Sequence, residues 1–160
     1  MPVFGPFTIL FHPGCLDHDT GGNDHPEAAQ RLIALRNKLA SSILAEKMTE
    51  VEHTQAQNEW VLACHDKDYL FRFEEHVLMG KSSIDHPDNQ INHASFDTAF
   101  LAAGSGICGI DLLEKGHADR LFCCVRPPGH HAERGSALGF CFFNNSAIAA
   151  RYWQKQYNRK

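Results

Sequence analysis

Two adjacent histidines, His130 and His131, follow the run Arg126-Pro-Pro-Gly at the end of an apolar stretch, residues 121–125. Two prolines and a glycine end a central strand, so we do not expect both imidazoles to point into a hydrophobic core. Imidazole exchanges protons near neutral pH, so two on one short loop suit general acid–base chemistry. The residues alone leave two interpretations open: a pair that transfers protons to a substrate, or a loop with two hydrogen-bonded histidines.

The segments around this pair, hereafter the dyad, alternate between apolar runs and amphipathic helices. Strands are predicted at residues 7–12, 48–53 and 121–125, and helices from near Pro26, in two short pieces within 57–77, from Ser95 to about Gly116, and over 145–156. This order predicts an α/β fold with three layers, α/β/α, around a mostly parallel sheet. Ligands bind beyond the carboxyl ends of strands in such sheets, and the dyad falls at that position.

Local signals refine three of these segments. Asp24 and Glu27 have the spacing of a capping box around Pro26, and Ser95 is predicted as the N-cap of the longest helix. The polar stretch 80–94 is longer than a tight turn, which is typical of functional loops. The residues 121–125 lack alternation and predict a strand covered on both faces. The stripe of the first helix is predicted to face the core and consists of Leu32, Leu35, Leu39 and Ile43.

Several motifs resemble those of the histone deacetylase family. Residues 126–132 resemble its R-P-P-G-H-H-A motif, and residues 139–145 resemble its G-F-C-x-F-N-N motif. His25-Pro-Glu with Arg31 is similar to the early H-P-E-x-P-x-R motif, and residues 95–104 are similar to the helix before the dyad. The motifs follow the family's order and indicate its class II-like, bacterial deacetylase-like branch. The resemblance implies the arginase–deacetylase fold, with residues 1–160 as the N-terminal part of one domain, incomplete at its C-terminus and without a second domain.

The resemblance implies roles for four residues near the dyad. The family hydrolyses N-acetyl-lysine or related acyl amides with a zinc-bound water. His131 would act as general base and then as general acid, while His130 would supply electrostatic stabilisation and orientation. Gly139 would accept a hydrogen bond from the substrate amide at its carbonyl. Phe140 would form one wall of the tunnel around the acyl-lysine stem.

Two further roles follow from the same resemblance. Asp88 occupies about the place of the aspartate that binds the substrate backbone, although Asn89 and His93 replace the usual threonine and proline. Arg31 would lie near an internal cavity below the metal. Both residues belong to segments other than the dyad loop, so their placement depends on the tertiary fold.

The metal site has no counterpart among the motifs of this sequence. The family's zinc ligands are an Asp-x-His pair and a further aspartate, and residues 132–160 contain neither aspartate nor histidine. We therefore expect zinc in the complete family domain and no metal ligands in this chain. A loop with Asp17, His18, Asp19, Asp24 and His25 has metal-binding residue types, but its glycine-rich polar composition favours a solvated loop or the rim of a cleft.

Three hypotheses remain open. The chain is the N-terminal portion of a zinc-dependent deacetylase, a non-catalytic relic or binding module, or one half of a split enzyme completed by a C-terminal half on another chain. The implied substrates are acetylated lysine in proteins, acetylpolyamines and small acyl amides. Because the zinc ligands are missing, we expect the chain alone to be inactive and to bind no stoichiometric zinc.

Composition limits the partners. The chain has 160 residues, a net charge of −4, 43% hydrophobic and 21% charged residues, which is typical of a globular protein without direct nucleic-acid binding. No apolar run approaches 18 residues, so no membrane partner is expected. The six cysteines lack C-x-x-C spacing and no signal peptide is evident, which favours buried thiols in a reducing compartment. We expect a cytoplasmic protein, or a nuclear one in a eukaryote.

Overall fold

A computed structural model of the chain describes residues 7–22 and 25–160. Its strands are β1 (Phe7–Leu10), β2 (Met48–Val51), β3 (Ser83–Ile84), β4 (His86–Gln90) and β5 (Arg120–Cys123). The main sheet is parallel, with the order β2-β1-β5, and β3 and β4 form a separate antiparallel hairpin. Because all three main strands run in one direction, their carboxyl ends share one edge of the sheet. The predicted α/β class with a parallel sheet is confirmed.

Helices cover both faces of this sheet. They are α1 (Ala29–Ala40), α2 (Asn58–Leu62), α3 (Lys67–Leu78), α4 (Ser95–Glu114) and α5 (Asn145–Gln156), with 3-10 helices at Pro13–Leu16 and Ala45–Lys47. In β1, Ile9 packs with Leu32 of α1. Leu10 approaches Gly109 of α4, where an added Cβ would lie 3.1 Å from the Leu10 Cδ1 atom. Since neighbouring residues of a strand point to opposite faces, α1 and α4 lie on opposite sides of the sheet.

The larger core forms between α3, α4, α5 and the segment before α5. Phe73 of α3 stacks on Phe142 with ring centroids 4.8 Å apart, and Phe100 of α4 meets Phe143 edge-on at 5.0 Å. All four rings are buried. Residues 141–143 therefore enter the core as an irregular segment, which places the residues just before them near the surface beside the dyad.

Among the described helices, α4 is long and apolar enough to cross a membrane by length and composition. Half of that stretch is buried inside the protein, and the core helix of a soluble protein passes the same test. Gly104 illustrates the packing, because a Cβ there would overlap the backbone carbonyl of Thr54. The expectation that the chain has no membrane partner stays a prediction.

Two helix starts differ from the sequence prediction. The helix near Pro26 begins at Ala29, and its N-cap residue, Ala28, makes no side-chain capping bond. Glu27 forms a buried ion pair with Arg126 instead of a cap. Asp24 lies outside the described residues. The longest helix begins at Ser95 rather than after it. The Ser95 hydroxyl accepts a hydrogen bond from the backbone N–H of Asn92.

The predicted burial around β5 and α1 is also partly wrong. Ile43 lies beyond the end of α1 and is almost fully exposed, and Leu35 is exposed within the helix. Phe122 of β5 is exposed as well, so this strand is not covered on both faces. In the part of the chain that the structure describes, β5 is an edge strand, and α1 leaves the face beside it open.

Candidate active site

The dyad lies on a loop, residues 126–132, that follows β5 at the carboxyl edge of the sheet. This segment is called the dyad loop below. The ring centroids of His130 and His131 are 4.3 Å apart, with their planes tilted by 55°. Both residues are exposed, while Gly129 and Ala132 on either side are buried. The two imidazoles are thus adjacent and accessible on a loop whose backbone is packed against the protein.

A buried ion pair holds the first residue of the dyad loop. The Arg126 guanidinium donates to both carboxylate oxygens of Glu27, from Nε to Oε1 at 2.7 Å and from Nη2 to Oε2 at 2.8 Å. Arg126 is 3% exposed and Glu27 2%. The Nη1 atom of Arg126 donates to the carbonyl of His18 at 2.6 Å. Bidentate geometry and extra hydrogen bonds are what a buried ion pair needs to offset desolvation.

His18 is a buried structural residue beneath this pair. Its Nδ1 atom lies 2.8 Å from the Ser95 hydroxyl, and its Nε2 atom lies 3.6 Å from a Glu27 oxygen. Burial, with a smaller contribution from the Arg126 cation, lowers the pKa of His18 to about 3. The interpretation of residues 17–25 as a solvated loop is therefore wrong for His18, because the Arg126–Glu27 pair draws this part of the loop into the core.

Gly139 lies directly beside His131. A Cβ on Gly139 would be 2.9 Å from the His131 Cδ2 atom, and the backbone of Gly139 has φ +56°. Glycine is therefore favoured twice, by the close imidazole and by the left-handed backbone. The Gly139 carbonyl accepts a weak hydrogen bond from the buried Cys141 thiol at 3.4 Å, and burial raises the pKa of that thiol. A carbonyl oxygen has two lone pairs, so the Cys141 thiol uses at most one of them.

Phe140 is held in an unusual backbone conformation by its neighbours. Its φ is +68°, which a non-glycine residue rarely adopts. Its N–H donates to the Oδ1 atom of Asn89 at 2.9 Å, and the Nδ2 atom of Asn89 donates to the Ile84 carbonyl at 3.2 Å. The His25 ring meets the Phe140 ring edge-on, with centroids 4.9 Å apart. The Phe140 ring thus packs against the His25 ring, and its backbone follows Gly139, which lies beside His131.

Asp88 is an exposed residue of β4, next to the fully buried Asn89. The structure connects it to the dyad region through the Asn89–Phe140 hydrogen bond and not through a direct contact of its carboxylate with either imidazole. Its predicted role is contact with a substrate backbone. The role itself stays a prediction.

Side chains of α3 and the β3–β4 hairpin anchor the segment between the dyad and α5. The Tyr69 hydroxyl donates to the Phe142 carbonyl at 2.8 Å, and burial raises the pKa of Tyr69. The Asp85 carboxylate accepts from the Ala137 N–H at 2.7 Å. The Arg72 guanidinium donates to the Gly135 carbonyl at 3.0 Å. Residues 133–143 lack regular structure, so these bonds take the place of a strand or helix ladder.

Arg31 lies apart from the other predicted site residues. It is an exposed residue of α1 and lines a cavity of about 260 Å³ beside β5. Glu27 and Arg126 line the same cavity, which opens on the exposed side of Phe122. Arg31 therefore shares this cavity with the Arg126–Glu27 pair. Its predicted place near an internal cavity below the metal stays a prediction.

Among residues 7–22 and 25–160, no group of three or more histidine, cysteine, aspartate or glutamate side chains is arranged to hold a metal ion. The dyad supplies two imidazoles. The His18 imidazole is buried, and its Nδ1 atom is hydrogen-bonded to the Ser95 hydroxyl. A zinc site requires three or four converging ligands with supporting hydrogen bonds. The described residues therefore do not fit zinc.

The sequence did not reveal the supporting residues of this site. In the sequence, Asn89 is only a departure from the family pattern, whereas in the structure its side-chain oxygen accepts from the Phe140 N–H. Asn144 and Asn145 belong to a motif, and the motif does not indicate that their side-chain amides donate to carbonyls of the dyad loop. The spacing of Glu27 predicts a helix cap and not an ion pair. The local sequence around a buried polar residue does not indicate its role, because its hydrogen-bonding partner lies far away along the chain.

Comparison with known proteins identifies relatives of this chain. A family model of the histone deacetylase domain matches residues 25–160. The chain is 35% identical over 158 residues to histone deacetylase 5 of Arabidopsis thaliana, covering 90% of this chain and 23% of that protein. It is 32% identical over 136 residues to the human polyamine deacetylase HDAC10, covering 82% of this chain and 20% of that protein.

A solved structure extends the similarity to three dimensions. The HDA15 HD domain superposes with a TM-score of 0.86 at 26% identity, covering 95% of this chain and 44% of that chain. The fold is therefore that of the histone deacetylases, the arginase–deacetylase fold, as predicted. The chain spans less than half the length of each of these three relatives. On the match to the family domain, this chain belongs to the histone deacetylase family.

Proposed function

We propose that this chain supplies the proton-transfer and acyl-binding side of a deacetylase active site that hydrolyses acyl amides. The observation that carries the proposal is the position of the dyad: two exposed imidazoles 4.3 Å apart at the carboxyl edge of the sheet, with His131 against Gly139. Amide hydrolysis needs a base for the attacking water and an acid for the leaving amine. A single imidazole can serve as both in turn.

In this proposal His131 removes a proton from the attacking water and then donates one to the leaving nitrogen. His130 orients that imidazole and stabilises charge beside it. Gly139 accepts the substrate N–H at its carbonyl, and the Phe140 ring covers the methylene stem of the substrate. Asp88 contacts the substrate backbone at the rim. Zinc, which the family generally uses to activate water, would need ligands other than the described residues.

The substrate class follows from the relatives by analogy. Proteins named as histone and polyamine deacetylases are both similar to this chain. The candidates are acetylated lysine in proteins, acetylated polyamines and small acyl amides, all of which present an acylated amine on an apolar stem. A cytoplasmic location and the lack of nucleic-acid or membrane partners stay predictions from composition and charge.

A chimera tests this function directly. In the HDA15 HD domain, the matching segment is replaced by this chain, and acetate release is measured from an acetyl-lysine peptide and an acetylated polyamine. Activity that depends on His131 supports the proposal. A chimera that melts cooperatively, binds zinc as the parent does and is inactive would contradict it. If the full exchange fails to fold, exchanging residues 120–145 alone provides the same comparison.

A further inference from the structure

Two consecutive asparagines at the start of α5 reach back to both ends of the dyad loop. The Nδ2 atom of Asn145 donates to the Pro127 carbonyl at 3.3 Å, near the beginning of the loop. The Nδ2 atom of Asn144 donates to the Ala132 carbonyl at 3.3 Å, at its end. The two imidazoles lie between these two attachment points.

The middle of the dyad loop rests on the same segment. A Cβ on Gly129 would be 2.6 Å from the backbone nitrogen of Asn145, so the loop backbone contacts the start of α5 directly. Within the loop, the Ala132 N–H donates to the Gly129 carbonyl at 3.1 Å and closes a turn around the dyad. The exposed imidazoles thus project from a backbone that is attached at its beginning, middle and end.

The orientation of Asn144 is fixed independently of the dyad loop. Its Oδ1 atom accepts from the Ala147 N–H at 3.1 Å, which caps α5. Its backbone N–H donates to the Nε2 atom of the buried His65 at 2.9 Å. Because the side-chain oxygen is used by the cap, the amide NH₂ group must face Ala132. Burial lowers the pKa of His65, in keeping with a neutral acceptor at Nε2.

Helix capping does not account for both asparagines. A cap needs an acceptor, which Ser, Thr or Asp supply as well as Asn, whereas the contact with Ala132 needs a donor. Asn145 makes no capping bond, and its amide serves the Pro127 carbonyl. The shared property of the two side chains is therefore an NH₂ donor aimed at the dyad loop.

We propose that Asn144 and Asn145 are positioning residues for the dyad, and that their two amide donors set the relative placement of His130 and His131 within this chain. The meaning of that placement for catalysis rests on the proposed deacetylase function, whereas the placement itself does not. The same helix start would then organise the proton-transfer loop before substrate or metal is present, as preorganised sites require.

Asparagine-to-aspartate variants of the 160-residue chain separate capping from positioning. Asn144→Asp keeps the capping acceptor, and Asn145→Asp suits the first turn of a helix, but each loses its donor to the dyad loop. Ser146→Asp adds the same charge at the next, exposed position and removes no donor to the loop, so it is the matched control. Asn144→Ser is a neutral second variant that retains a cap.

The measurements are amide hydrogen exchange at Ala132 and the NMR shifts of the two imidazoles. We expect Asn144→Asp, Asn145→Asp and Asn144→Ser to accelerate exchange at Ala132 by about tenfold or more, as loss of one hydrogen bond predicts, and to move both imidazole signals toward those of a flexible histidine. Ser146→Asp should leave exchange and signals close to those of the unaltered chain.

Two results would overturn the proposal. One is unchanged exchange and imidazole signals in both Asn→Asp variants. The other is an equal change in Ser146→Asp, which would make the effect one of charge. Should an Asn144 variant unfold, Asn145→Asp decides alone, since its side chain has no capping role. Because none of these readouts requires hydrolysis, their failure is distinguishable from failure of the deacetylase proposal.

Discussion

The Phe140 N–H donates a 2.9 Å hydrogen bond to the side-chain carbonyl of Asn89, a residue that is fully buried 51 positions earlier in the chain. This bond holds Phe140 at a positive φ, which costs free energy for a residue with a side chain. The β3–β4 hairpin, which contains Asn89, therefore holds the backbone of Phe140, the residue that follows Gly139 beside His131.

Replacing Asn89 with alanine should release Phe140. We expect exchange of the Phe140 amide to accelerate by about tenfold or more, because its acceptor is lost. Hydrogen exchange by NMR checks this, with Asp88→Ala as the matched control at the exposed neighbouring position. Equal protection of the Phe140 amide in both variants would show that the left-handed backbone at Phe140 is stable without the Asn89 hydrogen bond.

Removing one partner of the Glu27–Arg126 pair should be strongly destabilising. Glu27→Met leaves a buried guanidinium without its carboxylate, and Arg126→Met leaves the reverse, so each should lower the free energy of unfolding by about 3–5 kcal/mol. Urea denaturation measures both. The double variant should lose less than the sum of the two single losses, since no uncompensated charge stays buried. If the loss of unfolding free energy in the double variant equals the sum of the two single losses, Glu27 and Arg126 are not energetically coupled.

Acid should destabilise the fold through His18. Burial lowers its pKa to about 3, against 6.5 for the ordinary residue, so below pH 6.5 the unfolded chain takes up a proton that the folded chain does not. The stability from this difference is complete above pH 6.5 and is lost as the pH falls toward 3. Between neutral pH and about pH 5, His18 alone should lower the free energy of unfolding by about 2 kcal/mol.

Denaturation at several pH values tests this dependence, with His18→Gln as the comparison. The variant cannot take up that proton, so its stability should fall less steeply between neutral pH and about pH 5. Some dependence will stay, because burial also lowers the pKa of His53 and His65. Identical slopes for the variant and the unaltered chain would contradict the assignment to His18.

A methyl group at Gly139 should displace His131. Gly139→Ala combines a left-handed backbone, φ +56°, with a Cβ only 2.9 Å from the imidazole. Gly116→Ala has a similar φ of +69° with nothing within 4 Å of the added Cβ, so it isolates the backbone strain. We expect both to destabilise by about 1 kcal/mol or more, and only Gly139→Ala to shift the His131 ring signals. An unmoved His131 signal would contradict the packing.

The fold and the dyad could be predicted because their signals are local. The apolar runs at β1 and β5 mark strands, and Pro127, Pro128 and Gly129 end the second of them just before the histidines. The order of strands and helices then implies a parallel sheet, and a parallel sheet places the dyad at its carboxyl edge. These inferences need only spacing and residue type.

The supporting contacts could not be predicted, because they join residues that are distant in sequence. Glu27 looked like a capping residue, since its partner Arg126 lies 99 positions away. His18 looked solvated for the same reason. In each case a buried contact between residues distant in sequence outweighed a local preference. The helices α1 and α4 accordingly begin at residues that differ from the prediction.

The most direct test of the account is the effect of His131→Ala on acetate release by the HDA15 HD domain that carries this chain in place of its own matching segment. A general base and acid typically contributes a factor of about 10²–10⁴, so we predict a loss of at least about 100-fold with unchanged zinc content and thermal transition. His117→Ala, an exposed histidine just before β5, should leave the rate unaltered. A His131→Ala chimera that releases acetate as fast as its parent would contradict the central claim.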